Sequence, residues 1–149
     1  MKRIAIGFSA FVLSAAIASA ADDPIAVRKA LMDGNAAAAG AAGAMIKGEL
    51  DYSPVVAKAA IAQFRATAMA VGDFFPEGSD KGDTTAAPAI WENRPAFEEA
   101  LSKFLADANA AMEASGKEGP ADLDAFKAAV VPVLNNCRSC HEDFRIKQN

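Results

Sequence analysis

Residues 121–146 read ADLDAFKAAVVPVLNNCRSCHEDFRI. Leu123, Phe126, Val130, Val133, Leu134, Cys137, His141 and Phe144 recur at spacings of mostly three and four, the period of one helix face turned to a core. Pro132 lies inside the pattern and removes one helical hydrogen bond, which predicts a kink there, not a break. The chain's two cysteines and its single histidine all fall in the last turns of this segment. That coincidence is what the rest of the sequence has to accommodate.

Three further segments carry the same period. The first opens at Asp23-Pro24, an N-cap followed by proline at the first helical position, and runs to about Lys47, where Gly48 can end it. Ile25, Arg28, Met32, Asn35, Ala39, Ala42 and Ile46 fall on its inner face. The second opens at Ser53-Pro54 and places Val55, Val56, Ala59, Phe64, Ala68 and Val71 together before Gly72. The third begins near Asn93-Arg94-Pro95 with Phe97, Leu101, Phe104, Leu105, Ala108 and Met112 on one side, and the turn Gly116 to Pro120 leads into the fourth. Turn residues fill the connection from Phe74 to about Pro88, with Ile90-Trp91 as an apolar anchor. Met45, Met69 and Met112 read as core. Alanine is the commonest residue and the β-branched runs of strands are almost missing. These features predict an all-α fold, an antiparallel up-down-up-down four-helix bundle.

Ala36, Gly40 and Ala44 stack at i, i+4 and i+8, small enough for another helix to approach closely. That helix is either a member of the bundle or the same surface of a second copy, a homodimer through the first two helices.

The N-terminal stretch differs from all of this. Lys2 and Arg3, an apolar run from Ile4 to Ile17 and Ala18-Ser19-Ala20 form a secretory signal with an A-x-A cleavage site, so 1–20 is expected to be cleaved and 21–149 to form one domain. Of 149 residues, 15 are Lys or Arg and 19 Asp or Glu, a formal charge of −4. Losing Lys2 and Arg3 with the signal takes it to −6, which argues against a nucleic-acid partner. Charged residues interrupt every later apolar run, so no membrane span is expected in the mature chain. Paired carboxylates, a nucleophile with its base and a phosphate loop are all missing from the sequence, and the expectation is that the protein is not an enzyme.

Cys137-Arg138-Ser139-Cys140-His141 is C-x-x-C-H, the attachment sequence for c-type haem. On a helix the three side chains share a face, so two thioether bonds to the haem vinyl groups leave the imidazole beneath the iron. The two rivals are weaker. A redox-active dithiol would want its C-x-x-C at a helix N-terminus after a strand, and zinc would need a fourth ligand. The secretory signal agrees with haem attachment outside the cytoplasm.

Placed on the last helix, this motif resembles that of the class II c-type cytochromes: the four-helix cytochrome c′ and its low-spin relatives of the cytochrome c-556 type. The resemblance covers 21–149. It is carried by Arg28-x-x-x-Met32, Lys47-Gly48-Glu49, Phe75-Pro76, Pro88-Ala89-Ile90-Trp91, and Cys137 to His141 followed by Phe144-Arg145. It implies one covalent haem c held by Cys137 and Cys140, with His141 as proximal ligand. Met32 matches the position facing the distal side of the iron, either as a sixth ligand or beside the iron unbound. Arg28 matches an arginine near a haem propionate, Trp91 a tryptophan at the haem edge, and Arg145 a basic residue near the proximal ligand. The expected function is single-electron transfer in the periplasm, with soluble or membrane-bound redox proteins as partners. The alternative is a five-coordinate haem that binds nitric oxide or carbon monoxide.

Overall fold

A computed structural model describes residues 23–147. The expected signal at 1–20 lies outside them. Each long helix starts where its local chemistry says it should. Asp23 accepts from the Ala26 N–H at 2.9 Å and opens α1, Pro24–Lys47; Gly48, at φ +75°, closes it by donating to the Ala44 and Met45 carbonyls. Ser53 caps α2, Pro54–Ala70, which tightens into a 3₁₀ turn over Val71–Phe74. A one-turn helix, α3, Ala89–Glu92, precedes α4, Arg94–Ala114, capped by Asn93. Asp122 caps α5, Leu123–Phe144, which runs unbroken through Pro132. The carbonyl of Pro132 receives the Asn136 side-chain amide at 3.0 Å.

α1 packs on α2, α2 on α4, α4 on α5, and α5 returns to α1, so the four long helices close a bundle. Its main core joins Met45, Ile61, Phe64, Phe104, Phe126 and Val130. A second cluster, Val71, Phe75, Ile90 and Phe97, sits at the other end with Leu31, Met32, Trp91 and Phe144 against it. α5 stops at Phe144 because the chain beyond it pairs with the long connection. Ala87 N–H donates to the Phe144 carbonyl (3.0 Å) and Ile146 N–H to the Thr85 carbonyl (2.8 Å), around an isolated bridge between Ala86 and Arg145. The connection is thereby tied to the end of the helix that carries Cys137, Cys140 and His141.

The expected inner face of α1 stands, and that of α2 is rotated over its first two turns. On α1 the buried positions are Arg28, Asn35, Ala38, Ala42 and Met45, while Ile25, Met32, Ala39 and Ile46 are half-buried. On α2, Val55, Val56 and Ala59 face outward, and Ala57, Ala60, Ile61 and Thr67 take the core. Met69, expected in the core, is 58% exposed. Alanine fills so much of α2 that apolar residues surround the helix, and their spacing alone does not single out a face. Nothing covers Gly40, where an added Cβ would meet open space. The bundle's own close approach to α1 is at Gly34 instead, where a Cβ would come within 2.7 Å of Gln63 Nε2.

Candidate functional site

One cavity of about 580 Å³ opens between α1 and α5, within the range of roughly 300–1,000 Å³ usual for small-molecule and cofactor sites. From α5, Cys137, Cys140 and His141 line it, with Arg145 just beyond the helix end; from α1, Arg28, Met32 and Asn35 do. Phe75, Phe97 and Phe104 supply much of the apolar wall. Phe97 stacks edge-on against Phe75 (4.8 Å between centroids) and Phe144 (5.3 Å). Aromatic groups in T-shaped contact make a rigid wall.

The two thiols are half-buried and not bonded to each other. Burial pushes both upward, Cys140 to about 11 with the charges of Cys137 and Asp143 adding to it. That is the opposite of the depressed thiol of a dithiol redox centre. The pair also sits in the last turns of α5, not at a helix N-terminus. Burial, then Arg145, pushes the His141 imidazole below its ordinary value, which favours the neutral, ligating form. Among the described residues, no three His, Cys, Asp or Glu groups are arranged to hold a metal ion by themselves, so the zinc alternative gains nothing.

Arg28 is 5% exposed, and its four terminal N–H groups are all committed to the connection. Nη1 donates to the Phe74 carbonyl (2.8 Å) and Ser79 Oγ (2.9 Å), and Nη2 to the Ser79 carbonyl (2.9 Å) and Thr84 Oγ1 (3.1 Å). Its guanidinium lies 4.6 Å over the Phe75 ring. Burial lowers its pKa, partly offset by Asp23. Of five donors only Nε–H is left for anything inside the cavity, so this residue's first task is to hold the connection against α1.

Trp91 does not line the cavity. It packs behind Phe75 (6.1 Å between centroids) and donates from Nε1 to the Pro76 carbonyl at 3.1 Å, while its neighbour Ile90 takes the place on the wall.

Two buried carboxamides in the wall were not singled out as site residues from the sequence. Asn136, just before Cys137, donates to Asp107 Oδ2 (2.6 Å) and the Pro132 carbonyl (3.0 Å). Asn35, one turn after Met32, is 8% exposed, and among the described residues no group donates to its Oδ1. An unmet buried acceptor costs about 1–3 kcal/mol. The signal for Asn35 was present: a polar residue on an inner helix face at i+3 from Met32.

A cavity of this volume with a largely apolar wall, and two thiols and an imidazole together on one side of it, are what a covalently attached haem requires. The cytochrome C′ family model matches residues 23–145. The chain belongs to the cytochrome c′ family. It is 35% identical over 148 residues to a cytochrome c′ of Rhodopseudomonas palustris, covering 99% of this chain and 98% of that one. It is equally 35% identical over 121 residues to a cytochrome c-556 of Agrobacterium tumefaciens, covering 81% and 95%. A solved structure of cytochrome c′ from Rhodopseudomonas palustris superposes with a TM-score of 0.76 at 36% identity, over 85% of this chain and 98% of that one. Members of the cytochrome c′ and c-556 family are haem c proteins, typically with one covalent haem, and this chain is a monohaem c-type cytochrome.

Proposed function

We propose that the protein is a periplasmic electron carrier, not an enzyme, with haem c attached through Cys137 and Cys140 and its iron held by His141 and Met32. One observation carries the reading: Met32 on α1 and His141 on α5 line the same cavity from different helices. Haem c, when bound, supplies a one-electron couple. The chain's part is to hold a neutral imidazole on one side and a thioether on the other, a pairing that raises the potential relative to two histidines. Phe75, Phe97 and Phe104 keep the surroundings apolar and limit water. Arg145, beside His141, adds positive charge near the proximal side. The propionate role of Arg28 falls to its one uncommitted N–H, and Trp91 acts through Phe75, not by touching the haem.

A second reading, an open distal side that binds nitric oxide or carbon monoxide, draws support from the cluster of Leu31, Met32, Val71, Phe75 and Phe97, where packing alone accounts for a methionine. Visible absorption of the ferric and ferrous protein, with and without carbon monoxide, separates the two. Low-spin spectra indifferent to the gas are expected; a high-spin ferrous spectrum that shifts readily with it overturns methionine ligation.

Partners are redox proteins, soluble or membrane-bound. No helix among the described residues is long and apolar enough to cross a membrane. A homodimer through the first two helices fits the outer face of α2, where Val55, Ala59, Ala62, Ala66 and Met69 form a small and apolar stripe that is largely exposed, and the uncovered Gly40 of α1. Periplasmic location follows from reading 1–20 as a signal.

A further inference from the structure

We propose that Asp107, acting through Asn136, sets how readily the site takes up an electron: its carboxylate stands one hydrogen bond behind the cavity wall, where it favours the oxidised iron and lowers the reduction potential. The inference rests on the haem reading of this cavity and not on Met32 being a ligand.

Asn136 is 4% exposed, lines the cavity and immediately precedes Cys137. Its Nδ2 donates to Asp107 Oδ2 and to the Pro132 carbonyl. Both partners only accept, which fixes the way the carboxamide faces. Asp107 comes from α4, three residues after Phe104, which lines the cavity together with Ala100 and Leu101. The carboxylate therefore adjoins the cavity by two routes, behind Asn136 on α5 and one turn beyond the wall on α4. The groove between α4 and α5 that holds it is otherwise lined by alanines and Pro132, so α5 offers it a neutral amide and no countercharge there. Its one ion pair is with Lys103, on its own helix. These two charges do not cancel at the cavity, because the Lys103 side chain is 66% exposed and that of Asp107 26%, and solvent screens the outer charge more than the inner one. The carboxylates that line the cavity directly, Asp33 and Asp83, are exposed, and Asp83 is paired with Lys29. Oxidised iron carries one more positive charge than reduced iron. A poorly screened anion nearby stabilises the oxidised state more, and the potential falls. The same carboxylate, by holding the Asn136 amide, ties the turn ahead of Cys137 to α4.

The test is the midpoint potential of the holoprotein, with absorption spectra recorded beside it. Asp107→Asn keeps an oxygen for the Asn136 amide and removes the charge. It is expected to raise the equilibrium constant for reduction about threefold, about 28 mV at roughly 59 mV per tenfold, with an unaltered spectrum. Asp107→Glu, which keeps the charge, should stay near the parent. An unmoved or lowered potential in Asp107→Asn overturns the proposal. So does an equal rise in both variants, or a rise accompanied by an altered spectrum, each of which would mean that the contact and not the charge had mattered. A second measurement needs no variant to fold. Coupling is reciprocal, so the Asp107 carboxyl of the unaltered holoprotein, followed by NMR, should bind its proton about threefold more tightly when the iron is reduced than when it is oxidised. Equal proton affinity in the two states overturns the proposal. A purified chain without covalent haem would overturn the haem reading together with this inference; an unmoved potential with haem in place would overturn this inference alone.

Discussion

Arg28 and Ser79, 51 positions apart, are bound to each other twice: Nη1 to the serine hydroxyl and Nη2 to its carbonyl, each at 2.9 Å. The serine hydroxyl passes its own hydrogen to the Pro76 carbonyl at 2.8 Å. A buried cation that is hydrogen-bonded only to neutral oxygens, against an aromatic face and with Asp23 acting without a direct bond, is held by the number and geometry of these contacts.

Removing that cation should release the connection. Arg28→Met, which keeps the apolar stem, is expected to cost about 2–4 kcal/mol of stability and to expose residues 74–88 to proteases. Urea unfolding and limited proteolysis check it; unchanged cleavage would contradict the tethering role.

Met32→Ala should convert a low-spin spectrum to a high-spin one while leaving the haem attached, since both cysteines proposed to attach it are on α5. An unchanged spectrum removes Met32 from the coordination shell.

Asp107 joins Lys103 on α4 to Asn136 on α5, at 2.7 and 2.6 Å. The Lys103 hydrogen bond first, then that of Asn136, holds its carboxyl below the ordinary value near 4. Its contribution to stability is complete above that value and is lost as pH falls through the lower folded one. Asp107→Asn should therefore flatten the acid limb of the stability-versus-pH curve, measured by denaturant unfolding between about pH 5 and pH 2; an unaltered slope would show that the carboxylate is not linked to folding.

The turn between α4 and α5 contains two glycines with positive φ that respond differently. At Gly119 (φ +103°) a Cβ would lie 2.3 Å from the Pro54 carbonyl oxygen, whereas at Gly116 (φ +56°) it meets nothing. Gly116→Ala should cost about 1 kcal/mol, the left-handed backbone alone. Gly119→Ala should cost roughly 2–4 kcal/mol, because a backbone contact cannot move aside. Thermal unfolding of the two variants side by side gives the comparison.

If the outer face of α2 pairs two copies, Ala62→Glu at the middle of its stripe should give a monomer with an unchanged haem spectrum. Analytical ultracentrifugation reads the first, absorption the second; a parent chain that is already monomeric rules the dimer out.

Helix starts and ends were legible in the sequence because capping is local. Asp23-Pro24, Ser53-Pro54, Asn93 with Pro95, and Gly48 act within a few residues of themselves. The grouping of Cys137, Cys140 and His141 on one cavity wall was legible for a similar reason: they meet through helix geometry without help from the rest of the chain. What the tertiary structure decided lies in contacts between distant segments. Which side of an alanine-rich helix turns inward is settled by its neighbours, so Val55, Val56 and Met69 went outward and Ala57, Ala60 and Ile61 inward. Arg28 reads as a propionate-binding residue until the connection folds back and takes four of its five donors, and Trp91 reads as a wall residue until Phe75 packs between it and the cavity. The unmet oxygen of Asn35 is likewise a property of everything that surrounds it, since a hydrogen bond can be judged missing only after every possible donor has been positioned.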